Sequence, residues 1–144
     1  GAPTEARLVD ALRGSAGSIS LVAAVGGRVV GHILFTPVTI EPVSSIRIAA
    51  LAPMAVHPDY QRRGIGSRLV HAGLEECRRT GYGAVIVVGH PEFYPRFGFV
   101  PGHTKGLSCE YPVPPEVFMA AELEADVLNG TAGLVRYRPE FSEA

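Results

Sequence analysis

A helix with one buried face, followed directly by a continuous apolar run, leaves a chain few ways to fold. From Gly64 to Thr80 the small and apolar positions Gly66, Val70, Gly73, Leu74 and Cys77 step by three and four, while Arg68, His71, Glu75, Arg78 and Arg79 share the opposite face. Gly81 is placed to stop that helix, and GAVIVV, 83–88, reads as a strand covered on both faces. IRIAALAPMAVH, 46–57, reads as a strand before it. Strand, helix and strand in that order imply a parallel, right-handed crossover. The rest of the chain must be built around that unit.

The surrounding segments supply more strands. SISLVAAV and RVVGHILFTPVTI are rich in branched residues and meet at Gly26-Gly27, a hairpin signal. After a Pro-rich loop through EYPVPPE, FMAAEL and AGLVRY read as two further strands, separated by EADVLNGT. A brief helix is expected from about Pro91 to Phe97. Leu8, Val9 and Leu12 fall at helical spacing within TEARLVDALR, with Thr4 as cap and Gly14 as stop, so a short amphipathic helix is expected to open the chain. The sum is a mixed α/β domain spanning residues 1–144, with about six strands and two to four helices. Pro53 cannot donate to a ladder, so it marks a bulge, an edge or a break in pairing.

Composition excludes several function classes. With 47% apolar content and no internal repeat, 144 residues suit one core that buries about two thirds of the unfolded surface. Thirteen basic and 14 acidic side chains give a net charge of −1, which makes no general case for nucleic acid or an anionic membrane. No run of about 18 apolar residues exists, and GAPTEARLVD lacks the plan of a signal peptide, so the expected compartment is the cytoplasm. Cys77 and Cys109 match no metal-ligand spacing, so no metal and no disulfide framework are expected.

The stretch QRRGIGSRLV, 61–70, breaks ordinary helix design. Arg62 and Arg63 stand at the positive end of the helix dipole, each at a cost of about 0.3–1 kcal/mol near the surface. Dipole matching is obeyed at the other end, by Arg78 and Arg79, so the violation calls for a cause. A strand, a loop, two glycines and a helix gather unpaired backbone N–H groups at one point, which is an anion site. An anion there would turn the arginines from repelled to attracted groups. Asp59 offsetting the arginines, with the glycines serving only close packing, is the structural alternative. Neither the P-loop pattern nor the dinucleotide fingerprint is present.

These residues resemble a known family. Gln61-Arg62-Arg63-Gly64-Ile65-Gly66 matches the Gln/Arg-x-x-Gly-x-Gly/Ala motif of the GNAT superfamily of acyl-CoA-dependent N-acetyltransferases, and YPRFGF, 94–99, matches its Tyr-x-x-x-Gly-Phe segment. GHPEFYPRFGF and LNGTAGLVRY are similar to the YhbS-like bacterial subgroup, and the resemblance runs from about residue 18 onward. It implies a single mixed, mostly antiparallel sheet with a splayed parallel pair and flanking helices. It implies acetyl-CoA as co-substrate, its pyrophosphate held by main chain from Arg62 to Ser67 and its pantetheine arm along Met54, Ala55 and Val56. Gln61, Arg62, Arg63, Gly64, Ile65, Gly66 and Ser67 are thereby candidate cofactor-binding residues. Tyr94 is the implied proton donor to the departing thiolate, with a primary amine as acceptor. LAPMAV lacks the glutamate that many members carry, which leaves His90, Glu110, Cys109 or water as base. Members also begin with a strand before their first helix, whereas this chain begins within the segment read as that helix. The first strand is therefore expected to be missing or supplied by another segment, and an exposed edge with an apolar last strand would permit a homodimer. A non-catalytic acyl-CoA sensor, or transfer of a longer acyl group, is the rival reading.

Overall fold

A computed structural model describes residues 7–10 and 17–137. The hairpin forms as its sequence requires: β2 (Ile19–Val25) and β3 (Arg28–Glu41) are joined by Gly26 and Gly27 at φ +58° and +81°. Two successive positive φ values match the right-handed twist of the flanking strands, and glycine reaches them without strain. Next follow β4 (Ile48–Val56), α1 (Ile65–Arg79) and β5 (Ala84–Val88). β4 and β5 are parallel, so the crossover unit is present. The chain ends with the short β6 (Val100–Pro101) and β7 (Leu107–Cys109), then β8 (Phe118–Glu122) and β9 (Gly133–Arg136).

With β1 (Arg7–Asp10) at one edge, the main sheet runs β1-β2-β3-β4-β5-β8-β6. β9 pairs with the far end of β3 and, in parallel, with β7. The expected six strands are all found. The additional three, β1, β6 and β7, have four residues or fewer, too short for a period-2 pattern to stand out.

Two local expectations are corrected. Arg7–Asp10 is a strand antiparallel to β2, from Arg7 opposite Ala24 to Asp10 opposite Leu21, and not part of an opening helix. A short helix has a costly nucleus, and the open edge of β2 offers this segment a ready ladder. The strand flanking β2 is thus supplied by the segment whose spacing read as helical. Thr4, Leu12 and Gly14 lie outside the described residues. The helix expected from about Pro91 to Phe97 is a 3-10 turn at Tyr94–Phe97, confined by Pro91 and Pro95. Among the described residues α1 is the one α-helix, the remaining helical pieces being 3-10 turns.

Each face of the sheet has its own core. α1 buries Ile65, Leu69, Val70, Leu74 and Cys77 against Ile33, Phe35, Leu51, Val85 and Val87. Gly73 sits directly on the Phe35 ring, where a Cβ would collide with Cε1 and Cζ. The opposite face buries Ile40, Ile86, Phe118, Leu128 and Val135 beneath the β7–β9 ladder.

The splay that shapes the site lies between β4 and β5. They pair only at Ile48–Ala50 with Ala84–Ile86. Beyond Ala50, β4 continues to Val56 along β3 alone, its register shifted across Ala52 and Pro53. Pro53 occupies the bulge, where a missing N–H is tolerated. The β5-facing side of β4 from Leu51 to Val56 is left out of the ladder.

Candidate functional site

The loop after β4 is fixed by its own side chains. His57 N–H donates to the Val30 carbonyl at 2.7 Å, and His57 Nδ1 accepts the Asp59 N–H at 3.1 Å, shaping the 3-10 turn Pro58–Tyr60. Gln61 Nε2 donates to the Val56 carbonyl at 3.0 Å, so this motif residue ties the loop to the end of the strand. Arg62 at φ +65° and Gly64 at φ +80° then turn the chain into α1. A non-glycine residue at such φ is uncommon.

The start of α1 has no side-chain cap. Its first-turn N–H groups have no partner within the helix and face outward with the dipole behind them. Gly64 is explained by its left-handed backbone, since a Cβ there would meet nothing within 4 Å. Gly66 is not explained by packing. A Cβ at Gly66 would sit 3.7 Å from Met54 Cε and 3.9 Å from Val56 Cγ2, ordinary contact distances. The close-packing alternative therefore fails at Gly66. Asp59 also fails to neutralise the arginines, since its carboxylate lies 3.9 Å from His57 and pairs with neither Arg62 nor Arg63.

A cleft of about 370 Å³ opens at this point. Val56, Gln61, Arg62, Gly64, Ile65, Gly66 and Ser67 line one side of it, together with Tyr60. Phe93 and Arg96 complete the lining. Arg63 stands outside, its guanidinium 5.1 Å from the centre of the Tyr60 ring. Met54 and Ala55 lie further back along β4, opposite Ile33 and His32 of β3, and do not line the cleft.

Tyr94 lies beside the cleft and does not line it. Only 7% exposed, it contacts Phe93, Phe97 and Phe99, with ring centres 5.0, 6.5 and 5.6 Å away. Gly89 makes room for it, because a Cβ there would come within 2.6 Å of Tyr94 Cε2. Burial raises the Tyr94 pKa above its ordinary value near 10, because the phenolate is the form that loses hydration. Its hydroxyl has no hydrogen-bond partner among the described residues, so the proton is not committed elsewhere.

The other named side chains are mostly engaged. Glu110 accepts the Tyr137 N–H at 2.6 Å and lies 3.6 Å from Arg136, which ties β7 to β9. Cys109 is half-buried, and burial raises its thiol pKa despite hydrogen bonding at Tyr111 and Tyr137. His90 is exposed, with Glu92 at 3.6 Å, while its carbonyl accepts the N–H groups of Phe93 and Tyr94. It holds the turn that carries Tyr94. His32 bonds Ser20 at 2.9 Å, and His71 meets the Phe97 ring edge at 5.0 Å. Among the described residues no cluster of three or more His, Cys, Asp or Glu could hold a metal ion. No helix among them is long and apolar enough to cross a membrane.

Sequence reasoning did not select Tyr60, Phe93 and Arg96 as cleft residues. The one signal for them was aromatic residues beside arginines, in YQRR and FYPRF, flanking both motifs.

Comparison with known proteins gives a consistent picture. Residues 16–101 match the family model of the acetyltransferase (GNAT) domain. The chain is 36% identical over 140 residues to the uncharacterized N-acetyltransferase YhbS of Escherichia coli K12, covering 96% of this chain and 83% of that protein. It is 45% identical over 101 residues to the uncharacterized N-acetyltransferase YjhQ of the same organism, covering 69% of this chain and 56% of that one. The crystal structure of E. coli YhbS in complex with CoA superposes with a TM-score of 0.81 at 35% identity, over 86% of this chain and 69% of that one. A GNAT acetyltransferase from Brucella melitensis in complex with acetyl-CoA gives 0.68 at 31% identity, over 85% and 68%.

Proposed function

The chain belongs to the GNAT family of acetyltransferases, and on that footing we propose that it moves an acetyl group from acetyl-CoA to a primary amine by direct attack within a ternary complex. One observation carries this reading: the uncapped start of α1 behind Arg62 and Gly64, opening into a cleft rimmed by arginines.

The residues present fit the carrier. Main-chain N–H groups from Gly64 to Ser67 hold the diphosphate, as helix starts hold anions elsewhere. Arg62 and Arg63 add charge that an anion would relieve. The unpaired side of β4 at Met54, Ala55 and Val56 offers a strand edge to the pantetheine arm, which carries amide groups of its own. Bound there, the carrier supplies an activated thioester.

This chain then supplies orientation and a proton. The amine nitrogen bonds to the acetyl carbon, the carbon–sulfur bond breaks, and the Tyr94 hydroxyl gives its proton to the departing sulfur. A phenol near pKa 10 giving its proton to a thiolate near 8.5 works uphill by about 2 kcal/mol, and burial of Tyr94 adds to that. The same burial keeps the proton in place at neutral pH. An N–H of the β4 edge is suited to the charge that develops on the carbonyl oxygen. Glu110 is held by Tyr137 and Arg136 and burial raises the Cys109 thiol pKa, which favours the exposed His90 ring or water as the acceptor of the amine proton. An α-amine near pKa 8 needs about 1.4 kcal/mol to be neutral at pH 7, against about 4.6 for a lysine near 10.4. Without a strong base, the first is the better acceptor.

Thiol release from acetyl-CoA, measured against a panel of small amines, amino acids and peptide N-termini, tests the proposal. Acceptor-dependent release is expected, strongest among α-amines. Binding of acetyl-CoA without release to any amine would support the sensor reading instead.

A further inference from the structure

The phosphate end of the cleft has a second side. We propose that Arg96 is a diphosphate-binding residue, reaching the carrier from the turn that also carries Tyr94. This inference rests on the carrier site proposed above and adds a ligand that belongs to neither the glycine loop nor the helix start.

Arg96 lines the same cleft as Arg62, Gly64, Gly66 and Ser67, although it lies about thirty residues further along the chain. Its side chain is exposed, yet its guanidinium is held against the turn. Nε donates to the Phe93 carbonyl at 3.0 Å, and the guanidinium carbon stands 4.8 Å from the centre of the Phe93 ring. One further contact, Nη2 to the Glu92 carbonyl, is long at 3.5 Å. The fork is therefore oriented while much of its donor capacity is unspent.

Local charge favours an anion as its partner. Among the described residues no carboxylate pairs with Arg62, Arg63 or Arg96. The two acidic side chains on the adjoining loops, Asp59 and Glu92, are exposed and lie 3.9 Å from His57 and 3.6 Å from His90. Two arginines at the rim of one cleft, Arg62 and Arg96, with Arg63 just outside it over the Tyr60 ring, stand about the uncapped N–H groups and make a region of positive potential that a diphosphate neutralises. A planar guanidinium suits paired phosphate oxygens better than an ammonium does.

Position on the turn gives Arg96 a further consequence. Its guanidinium lies over Phe93, and the Phe93 ring meets the Tyr94 ring edge-on at 5.0 Å. Capture of the diphosphate by Arg96 would hold the turn Tyr94–Phe97 against the cleft, with Tyr94 beside the pantetheine arm. Arg96 is in this sense also a positioning residue.

The test compares Arg96→Gln and Arg96→Lys with the parent chain on three donors: acetyl-CoA, acetyl-dephospho-CoA and S-acetylpantetheine, the last lacking the diphosphate. Arg96→Gln is expected to raise KM for the first two by about tenfold each, the loss typical of one charged hydrogen bond. The preference in kcat/KM for acetyl-CoA over S-acetylpantetheine is expected to narrow by the same factor, and Arg96→Lys to restore part of it. A role confined to bracing the turn would lower kcat/KM for all three donors equally and leave that preference intact, which would overturn the proposal. A loss seen with acetyl-CoA and absent with acetyl-dephospho-CoA would overturn it too, by placing Arg96 on the phosphate monoester. Failure of the parent chain itself to bind CoA would strike the carrier site and not Arg96 alone.

Discussion

Tyr94 concentrates the chemistry proposed for this chain in one hydroxyl group. Replacing it by phenylalanine removes the proton and retains the ring that fills the space beside Gly89 and Phe99. Tyr94→Phe is expected to bind acetyl-CoA as the parent does and to lose roughly 10²- to 10⁴-fold in kcat, the usual share of general acid catalysis. Steady-state rates alongside binding titrations check this. The pH profile carries a sign. Burial raises the Tyr94 pKa, so the protonated donor persists through the neutral and mildly alkaline range, and loss of donor activity falls above pH 10. A rate that declined between pH 8 and 9 through Tyr94 would contradict its burial. At this scale the lining of the cleft was legible where a motif named the residue, as at Gly64 and Gly66. The sequence was silent where a side chain's duty depends on distant neighbours. Glu110 looked available as a base, yet it is held by Tyr137 and Arg136, residues 27 and 26 positions away.

Among the elements, α1 was the easiest to read, because its three-four spacing and glycine stop are local signals. Its weakest position by propensity, Gly73, is the one that tertiary packing requires. The Phe35 ring lies where a Cβ would go, and both residues belong to the core between α1 and the sheet. Gly73→Val is expected to lower stability by about 1–3 kcal/mol through overpacking, in spite of the better helix propensity of most residues over glycine. Thermal or denaturant unfolding measures this, and an unchanged or raised melting temperature would contradict the packing described. Of the four described strands shorter than five residues, only β9 was legible. β1, β6 and β7 are strands because a ladder partner lies alongside them, and a partner distant in sequence leaves no periodicity to read. The segment 7–10 shows this most clearly, since Leu8 and Val9 carried a helical spacing and yet join the edge of β2.

At the level of the whole molecule, a parallel pair that separates after three residues joins a helix start that nothing caps. The β2–β3 hairpin and the crossover followed from hydrophobic runs and turn glycines. That the second face of the sheet is covered could be read from the continuous apolar run GAVIVV, but the elements that cover Ile86 and Phe118 there, the β7–β9 ladder, had no signal in the sequence. The cleft itself is a product of assembly, because its two sides come from segments about thirty residues apart that meet only after β5 has been laid beside β4. Everything proposed for function depends on that cleft holding a diphosphate-bearing carrier. Isothermal titration of CoA into the intact chain at two salt concentrations tests it most directly. Saturable uptake near one carrier per chain is predicted, with affinity that weakens as salt rises from 0.05 to 0.5 M, as screening of the rim arginines by about these concentrations requires. No uptake at millimolar CoA, in a sample that unfolds cooperatively, would contradict the account.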